Sequence, residues 1–364
     1  MTPLTDIAEL ESPELDSAVA ALGAEPFHGR QIFRWIYRRG LTDFAQMTDL
    51  SRELRGQLTD RFTVGTHGVE NRQQSADGTE KFLLRMNDGL LVESVFIPDT
   101  PRQTFCVSTQ VGCAMRCAFC LTGRMNLARN LTAGEIVGQV RLLADTLKLV
   151  ETGFNVVLMG MGEPLHNYEA SMKAIRILTA EGGFAMPPRR ITLSTVGVPG
   201  GLARLAQEPV MPNIAVSLHA ATEGLREQLV PVNRKYGLAE IIAECRKFPL
   251  DRRRRITFEY VLLAGVNDSV QDAQRLATLL RGIRAKVNLI PLNEAAGIPF
   301  QRPTDIQIDR FAKTLSKQHM RVSVRKSRGR DIRAACGQLI IEGDTGSPSP
   351  AQNIAARMNG WMNG

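Results

Sequence analysis

The sequence has 364 residues, of which 43% are hydrophobic and 23% charged, and its net charge is +8 with a pI near 9.4. These values exclude a disordered or fibrous chain and are typical of a globular protein with a sizeable core. The basic balance is compatible with a polyanionic partner such as RNA or DNA. The low aromatic content, 5%, argues against exposed rings as the main device for binding single strands.

The opening residues, MTPLTDIAELE, are acidic and lack the apolar core of a secretory signal, and no apolar run has the length that crossing a bilayer requires. We therefore expect a cytoplasmic protein without a membrane partner. Structural disulfides are rare in that compartment, so the six cysteines point to metal binding or catalysis.

Helical patterns dominate residues 9–62. One face of the clearest helix carries four apolar side chains: Ile32, Phe33, Ile36 and Tyr37. Such a face is typical of an ordinary core, and the arginines around it are typical either of a solvated surface or of RNA contacts. We assign residues 1–62 to a helical N-terminal accessory domain that binds RNA.

Residues 63–98 change to a period of two. KFLLRMNDGLLVESVFIP has two β-like runs around Asn87-Asp88-Gly89, which predicts a hairpin. From residue 99 to residue 335, helical patterns alternate with short apolar runs that predict strands: TFCVST, FNVVLMG, RRITLST, NIAVSLH, RITFEYVLL, KVNLIPL and RVSVR. Repeated βα units predict a parallel sheet, either a barrel or an open sheet. The clearest helix begins at Thr132, which forms a capping box with Glu135.

The last segment, residues 336–364, contains GDTGSPSPAQN, which predicts a loose tail. Ahead of it, polar or glycine-rich residues follow each predicted strand of the α/β region. Turns favour such residues anyway. In a parallel βα barrel, however, chemistry takes place at the carboxyl ends of the strands. The repetition, together with a cysteine cluster after the first strand, predicts the functional site at that edge.

Cys113, Cys117 and Cys120 form a C-x3-C-x2-C motif, and Cys106 lies seven residues upstream. Structural zinc sites usually have four ligands, and iron–sulfur clusters normally use four cysteines as well. The missing ligand favours an iron–sulfur cluster that keeps one iron open for another molecule. Zinc and reduced structural thiols stay open as alternatives.

The motif, with Phe119 before its last cysteine, resembles the radical S-adenosylmethionine (SAM) superfamily. This resemblance implies a partial (β/α)6 barrel with the helical N-terminal domain and the hairpin as extensions. It also implies a [4Fe–4S] cluster on the three cysteines, whose open iron binds SAM. Gly162-Glu163 resembles the motif that receives the SAM ammonium, although Glu163 taken alone is more typical of a helix N-terminus.

Further motifs narrow the resemblance to the bacterial adenosine-C2 RNA methyltransferases, the RlmN/Cfr family. They lie in the family's order between about residues 25 and 340: CVSTQVGCAMRCAFC, RNLTAGEI, MGMGEPLHN, RRITLSTVGV, AVSLHA, RRITFEYVLLAGVND, VNLIPLNE and RGRDIRAACGQL. The chain departs from the family pattern in the loop Leu121–Leu127. There, Leu121 replaces a small residue, and Asn126-Leu127 stand where the family more often has Gly-Phe.

The resemblance implies methylation of adenine C2 in 23S rRNA and in tRNA beside the anticodon, with two SAM molecules per turnover. Cys336 would carry the methyl group as S-methylcysteine and then as a thiomethylene radical. Cys106 would resolve the covalent RNA adduct by forming a disulfide with Cys336, and Glu93 would accept the C2 proton. Taken alone, Glu93 is typical of an outward-facing strand residue and Cys336 of a small buried core residue.

Matched positions imply further SAM contacts, namely Gly162, Glu163, Ser194, Ser217, Leu218, His219 and Asn293. Each also fits a turn residue, and His219 fits a core histidine. The arginines at 321–333 flank Cys336 and are the better candidates for contacts with RNA phosphates. Cations in the segment before Cys336 would also favour a thiolate: Arg325, Lys326, Arg328, Arg330 and Arg333. The run Asp251–Arg255 is more typical of a solvated loop. Cys245 falls on a helical stripe and is expected in the core.

Two other functions stay open. One is the related methylation of adenine C8, which would use the same cysteines. The other is a zinc-stapled basic protein that binds RNA without catalysis. For the enzyme we expect an electron donor such as a flavodoxin system and a monomeric state.

Overall fold

The computed structural model describes residues 4–98, 103–198, 200–251 and 253–341. The predicted tail GDTGSPSPAQN lies outside the described residues, as does most of the segment 336–364.

The N-terminal region is helical, as predicted. Its elements are β1 (Thr5–Asp6), α1 (Ser12–Ala20), α2 (Phe27–Tyr37), α3 (Arg52–Arg61) and β2 (Phe62–Thr63), with β1 and β2 paired in parallel. The apolar face predicted on α2 is buried against the rest of the chain. Asp6 fastens the start of this region to its end, because its Oδ1 accepts hydrogen bonds from the N–H groups of Ala8 (2.9 Å) and Gly65 (2.8 Å). The helical region is thereby closed on itself before the sheet begins.

The predicted hairpin is confirmed and has one strand more than expected. Three antiparallel strands follow the helices: β3 (Gly68–Gln74), β4 (Glu80–Arg85) and β5 (Leu91–Ile97). The β4–β5 turn closes where Met86 N–H donates to the carbonyl of Leu90, and Gly89 there has a φ of 84°. β3 was not predicted, because its sequence GVENRQQ is polar and all seven of its residues are exposed.

Ten strands form one sheet, in the order β14-β13-β12-β11-β10-β9-β6-β5-β4-β3. From β6 onward its neighbouring strands are parallel: β6 (Thr104–Cys106), β9 (Asn155–Leu158), β10 (Ile191–Thr195), β11 (Asn213–Ser217), β12 (Ile256–Leu262), β13 (Ala285–Pro291) and β14 (Arg321–Val324). A small antiparallel pair, β7 (Gln110–Val111) and β8 (Arg129–Asn130), lies beside it. Since β3 and β14 are edge strands within the described part of the chain, the barrel is partial, as predicted.

Helices connect the parallel strands: α4 (Ala133–Thr146), α5 (Tyr168–Thr179), α6 (Gly201–Leu205), α7 (Glu223–Leu229), α8 (Leu238–Lys247), α9 (Val270–Leu279) and α10 (Asp305–Lys317). Their apolar faces join the strands in one core, which includes Cys245 of α8 as expected. Among the described residues, no helix combines the length and the apolar character that crossing a bilayer requires.

The predicted capping box at the start of α4 is confirmed. Glu135 N–H donates to Thr132 Oγ1 (3.1 Å), and Thr132 N–H donates to Glu135 Oε2 (2.9 Å). Arg129 then binds both carboxylate oxygens of Glu135, at 2.7 and 2.8 Å. This network fixes the point where the chain leaves the cysteine loop and enters the first helix of the barrel.

Replacing Thr132 by alanine should lower the free energy of unfolding by about 1 kcal/mol, because one N-terminal N–H of α4 loses its side-chain acceptor. Chemical denaturation measures the change. Thr222→Ala is the matched control, since Thr222 is the N-cap of α7 but makes no side-chain capping bond. Equal losses in the two variants would contradict the role given to the Thr132 hydroxyl.

Candidate active site

A cleft of about 930 Å³, open mouth included, lies at the carboxyl ends of the parallel strands, which is the edge that the sequence predicted. Most of the predicted site residues line it: Cys113, Cys117, Cys120, Gly162, Glu163, Ser194, Ser217, His219, Asn293 and Cys336. Leu218, Cys106 and Glu93 do not line this cleft. The fold therefore brings together residues from six separate parts of the sequence.

The three cysteines of the motif lie in the loop between β7 and β8. The loop is held by Ala118 N–H, which donates to the carbonyl of Leu229 at 2.9 Å. Phe119 packs its ring edge-on against His219, with ring centroids 4.6 Å apart. This contact joins the cysteine loop to the end of β11 and gives the aromatic residue of the motif a packing role.

Burial raises the pKa of each of these thiols, that of Cys113 to about 12. Such thiols stay protonated unless a metal centre supplies the compensating positive charge, and a coordinating thiol is deprotonated outright. In the described residues, no three His, Cys, Asp or Glu side chains converge closely enough to hold a single metal ion. Three thiols that share one cleft without meeting at one point fit a polynuclear cluster better than tetrahedral zinc.

Gly162 cannot be replaced by a residue with a side chain without a clash. Its φ is +105°, and a Cβ built on it would lie 2.7–2.8 Å from the side chain and the backbone nitrogen of Gln110. Gln110 also accepts a hydrogen bond from Glu163 N–H at 2.8 Å. The glycine thus allows β7 to pack against the turn after β9, and this packing places Glu163 in the cleft.

The carboxylate of Glu163 is buried and receives two backbone hydrogen bonds. Val196 N–H donates to Oε2 (2.8 Å) and Leu165 N–H donates to Oε1 (3.0 Å). Burial raises the pKa of Glu163 to about 7, although these two bonds act in the opposite direction. Each carboxylate oxygen can accept a second bond. A cationic ligand in the cleft would therefore find an acceptor that is already oriented.

Neighbouring strand ends supply the other predicted contacts. The hydroxyl oxygens of Ser194 (β10) and Ser217 (β11) lie 3.3 Å apart, and both side chains face the cleft. Asn293, after β13, uses its amide nitrogen to donate to the carbonyl of Cys336 at 3.1 Å. Its buried Oδ1 has no hydrogen-bond partner within the described structure. A ligand with an N–H or O–H group could satisfy that oxygen.

His219 is neutral and fixed in orientation. Burial, with a smaller contribution from Arg226, lowers the pKa of His219 to about 3. Its Nδ1 accepts a hydrogen bond from Val261 N–H (3.1 Å), so the ring proton lies on Nε2 and is available as a donor. The backbone at His219 has a φ of 64°, in the left-handed region. Such strain is tolerated where the surroundings fix the conformation.

Arg226, which no sequence pattern marked as a site residue, is fully buried behind the site. Its guanidinium donates to the carbonyls of Val196 (2.6 Å), Ser217 (3.3 Å) and Leu218 (3.2 Å), and so joins the ends of β10 and β11. Burial lowers the pKa of Arg226 to about 10. Leu218 therefore contributes its backbone to this support, and its side chain lies in the core.

Cys336 lies on a segment that crosses the mouth of the cleft, residues 325–341, which we call the C-terminal strap. Leu121 N–H donates to the carbonyl of Gly337 (2.8 Å), and Thr122 Oγ1 donates to the carbonyl of Leu339 (2.6 Å). These donors belong to the loop in which the sequence departs from the family pattern. The loop directly after the third cluster cysteine thus holds the strap over the cleft.

Arg325 directly follows β14 and belongs to the predicted basic segment. Its side chain lines the cleft. The nearby thiol of Cys336, followed by Glu259 and Cys106, raises the pKa of Arg325. Glu259 lines the same cleft, and burial raises its pKa. Glu259 lies within the predicted strand RITFEYVLL. In the second basic run, Asp251–Arg255, the guanidinium of Arg254 donates to the carbonyl of Met211 at 2.7 Å. This bond holds the run against the segment before β11.

Cys106 is buried at the end of β6, opposite Val95 of β5. Burial is the main reason why its pKa rises to about 12, and the neighbouring Cys336 adds to the increase, whereas Arg325 opposes it. The two thiols are therefore close enough to influence each other's charge. Cys106 rests as a protonated thiol.

Glu93 is buried, so its alternative interpretation as an outward-facing strand residue is wrong. Its side chain is 4% exposed and forms an ion pair with Lys81 of β4 at 2.8 Å. Its other oxygen accepts a hydrogen bond from Ile340 N–H of the strap, also at 2.8 Å. Glu93 lines a second cavity between β3–β5 and the strap. Alternation along β5 did not reveal this burial, because the strap that covers Glu93 is distant in sequence.

Comparison with known protein families finds two matches along the chain. Residues 5–64 match the ribosomal RNA large subunit methyltransferase N-terminal domain, and residues 107–277 match the radical SAM superfamily. The two matches fall on the helical N-terminal region and on the sheet that carries the cleft.

Similar proteins cover almost the whole chain. A relative from Geobacter sulfurreducens, named dual-specificity RNA methyltransferase RlmN, is 48% identical over 351 residues, which are 96% of each chain. A relative of the same name from Anaeromyxobacter dehalogenans is 47% identical over 363 residues, 98% of this chain and 96% of the relative. The crystal structure of a radical SAM methyltransferase from Sphaerobacter thermophilus has a TM-score of 0.87 at 47% identity, covering 93% of this chain and 99% of that one.

The raised pKa of Glu163 predicts a pH-dependent stability of the cluster-free protein. Between the ordinary value of 4.5 and about 7, the folded chain keeps a proton that the unfolded chain releases. The stability from this group is thus present below pH 4.5 and is lost as the pH rises towards 7. Relative to Glu163→Gln, the parent should lose up to about 3 kcal/mol of unfolding free energy between pH 5 and pH 8.

Denaturant unfolding at both pH values, under nitrogen, measures the difference. Glu223→Gln is the control, because the pKa of Glu223 is lowered and its carboxyl does not titrate in this range. If the difference in unfolding free energy between the parent and Glu163→Gln is the same at both pH values, the buried carboxyl does not titrate as described.

Proposed function

The chain belongs to the RlmN family of dual-specificity RNA methyltransferases, and we propose that it methylates C2 of an adenine in 23S rRNA and of the adenine beside the anticodon in tRNA. The enzyme is a radical SAM methyltransferase that uses one [4Fe–4S] cluster and two SAM molecules per turnover. The observation that carries the proposal is the position of Cys336, which the strap holds in the same cleft as the three motif cysteines.

Cys113, Cys117 and Cys120 would hold the cluster, and Glu163, Ser194, Ser217, His219 and Asn293 surround the space left for SAM. Once bound, the cluster and SAM supply an electrophilic methyl group and a one-electron route to activate it. Glu163 offers a carboxylate to the SAM ammonium. The neutral His219 offers a ring N–H, and Asn293 offers its Oδ1, which has no hydrogen-bond partner among the described residues.

Cys336 would accept the methyl group on its sulfur and carry it to the base. Radical chemistry on this carrier avoids a polarity mismatch, because adenine C2 is an electrophilic carbon and cannot attack an electrophilic methyl group. The hydrogen bond from Asn293 to the Cys336 carbonyl supports the role, since it fixes the carrier beside the SAM contacts. Arg325 lines the same cleft and places a positive charge near Cys336.

Cys106 would resolve the covalent adduct. Once deprotonated, its sulfur attacks the sulfur of Cys336, so that an S–S bond forms and the bond from sulfur to the methylene carbon of the base breaks. The methylene carbon keeps the electron pair of the broken bond and takes up a proton, which completes the methyl group. Cytosolic reductants then reopen the disulfide by thiol–disulfide exchange. The electrostatic interaction between the two thiols supports the pairing.

Glu93 would accept the C2 proton. Its support is the burial of the carboxylate beside the strap that carries Cys336, on β5, two strands in from the edge strand β3. The assignment requires that the base reach the second cavity, because Glu93 does not face the main cleft.

The RNA would be held by the helical N-terminal region and by the arginines of the strap, with phosphate contacts that weaken as salt increases. We further propose a flavodoxin-type electron donor, a monomeric enzyme and a cytoplasmic location. We also propose a division into an accessory domain at residues 1–62, a β-hairpin linker at 63–98, the radical SAM core at 99–335 and the carrier segment with the C-terminal tail at 336–364.

Cys336→Ala should abolish RNA methylation while the protein keeps its cluster and its affinity for SAM, because only the methyl carrier is lost. Cys106→Ala should instead accumulate a covalent RNA–protein adduct, since the carrier works but cannot be released. Denaturing gels and mass spectrometry of nuclease-treated protein detect the adduct. Cys245→Ala is the control and should turn over like the parent. Normal turnover by Cys106→Ala without an adduct would remove its resolving role.

Protein prepared without oxygen should contain iron and acid-labile sulfide in equal amounts, and Cys117→Ala should lose both. Nucleoside analysis of its RNA product against 2-methyl- and 8-methyladenosine standards should give the 2-methyl form. Stoichiometric zinc without sulfide would favour the non-catalytic RNA-binding protein. An 8-methyl product would favour the related C8 activity.

A further inference from the structure

A second cavity, distinct from the main cleft, lies between the three-stranded extension and the strap and spans about 860 Å³ with its open mouth. We call it the extension groove. Its floor is one face of the extension, formed by Asn71, Gln73, Lys81, Leu83, Leu91 and Glu93. Its roof is the strap, on both sides of the carrier cysteine.

The floor is an ordered row of side chains. Asn71 of β3 lies opposite Leu83 of β4, which lies opposite Glu93 of β5. Two strand spacings place Asn71 roughly 10 Å from Glu93. Asn71 and Gln73 are exposed at the open end of the groove, whereas Glu93 is buried at its inner end. The groove is thus polar at both ends.

The middle of the groove has apolar side chains on both its floor and its roof. Leu83 and Leu91 lie on the floor, and Ile332, Ile340 and Ile341 lie on the roof. A slot with aliphatic walls and polar ends suits a flat heteroaromatic ring, because enzymes that act on a base hold it between apolar side chains and read its edges by hydrogen bonds. The cations Lys81 and Arg333 are balanced in the lining by Glu93 and Asp331, so the groove suits an uncharged ring.

From this arrangement we propose that the extension groove binds the target adenine, with its C2 edge towards Glu93 and its N6/N7 edge towards Asn71 and Gln73. The inference rests on the proposed function, since it takes the substrate to be an unstacked adenine. In adenine, C2 lies across the ring from the N6/N7 edge. A carboxamide is the group that recognises this edge, because it can donate to N7 and accept from N6.

The groove also explains how base and carrier meet. Cys336 lies between Ile332 and Ile340 in the strap, so the same segment lines the main cleft with its cysteine and roofs the groove with its isoleucines. A base in the groove lies against the segment that carries the methyl group. Asn71 and Gln73 are therefore specificity-determining residues, and they contact neither the cluster cysteines nor the SAM-facing residues.

The test compares RNA that carries adenosine at the target position with RNA that carries 7-deazaadenosine there, which lacks the N7 acceptor. The parent should prefer adenosine by about tenfold to a hundredfold in kcat/KM. The double variant Asn71→Ala/Gln73→Ala should lower this preference to near one, mainly by losing rate on adenosine. Gln74→Ala is the control, because Gln74 is exposed on the same strand but does not line the groove.

A purely structural role for the two residues would slow both substrates equally and leave the preference unchanged, which would overturn the proposal. So would a parent enzyme that does not discriminate against 7-deazaadenosine. As a second measurement, Leu83→Trp should fill the groove and abolish RNA methylation, while S-methylation of Cys336, detected by peptide mass spectrometry, continues. Val69→Trp, on β3 but outside the groove, should leave both intact.

Full RNA methylation by Leu83→Trp would also overturn the proposal. The proposed function is tested separately in the same reactions. If the parent protein makes no 2-methyladenosine, the proposed function is wrong. If the parent makes the normal product but the double variant keeps the preference for adenosine, only the assignment of the groove is wrong.

Discussion

The hydrogen bonds that hold the C-terminal strap across the sheet are the constraint on which the site depends. Asn293 and the loop after Cys120 bind the strap on one side, and Glu93 binds it on the other. Farther out, Asp331 accepts from Ser75 Oγ at 2.6 Å, and Gly329 N–H donates to Asp77 at 3.0 Å. Each such bond is worth about 1 kcal/mol net. Together they fix a segment without regular secondary structure, so that Cys336 shares a cleft with cysteines more than two hundred residues away.

Beneath the strap, the site contains polar groups that are buried. Burial pushes Glu163 and His219 towards their neutral forms, while backbone N–H groups fix their orientation. Polar groups that are oriented in advance interact more strongly with a ligand than the same groups in water, and they need no reorganisation when it binds. The thiols follow the same logic. Their raised pKa values mean that proton loss accompanies the binding of a metal centre.

Local patterns allowed much of this site to be predicted from the sequence. The cysteine spacing, the capping box at Thr132 and the polar residues after each strand depend on neighbours within a few positions, so they were visible in the sequence. The burial of Glu93 was not, because its cover comes from the strap. The role of Arg226 was not visible in the sequence for a similar reason. Arg226 lies on α7, and the carbonyls that it binds lie at the ends of β10 and β11. The polar strand β3 gave no apolar alternation, and it is ordered by pairing with β4.

Arg226 also limits how a fold of this kind can diversify. A shorter side chain at this position would leave several buried carbonyls without a donor, and the cumulative cost would exceed what a marginally stable protein tolerates. We therefore expect few tolerated substitutions at Arg226 and at the ends of β10 and β11. The exposed side chains of the antiparallel extension satisfy no buried carbonyl groups, so substitutions there cost little stability. Changes that adapt the protein to new RNA targets are therefore expected in the extension.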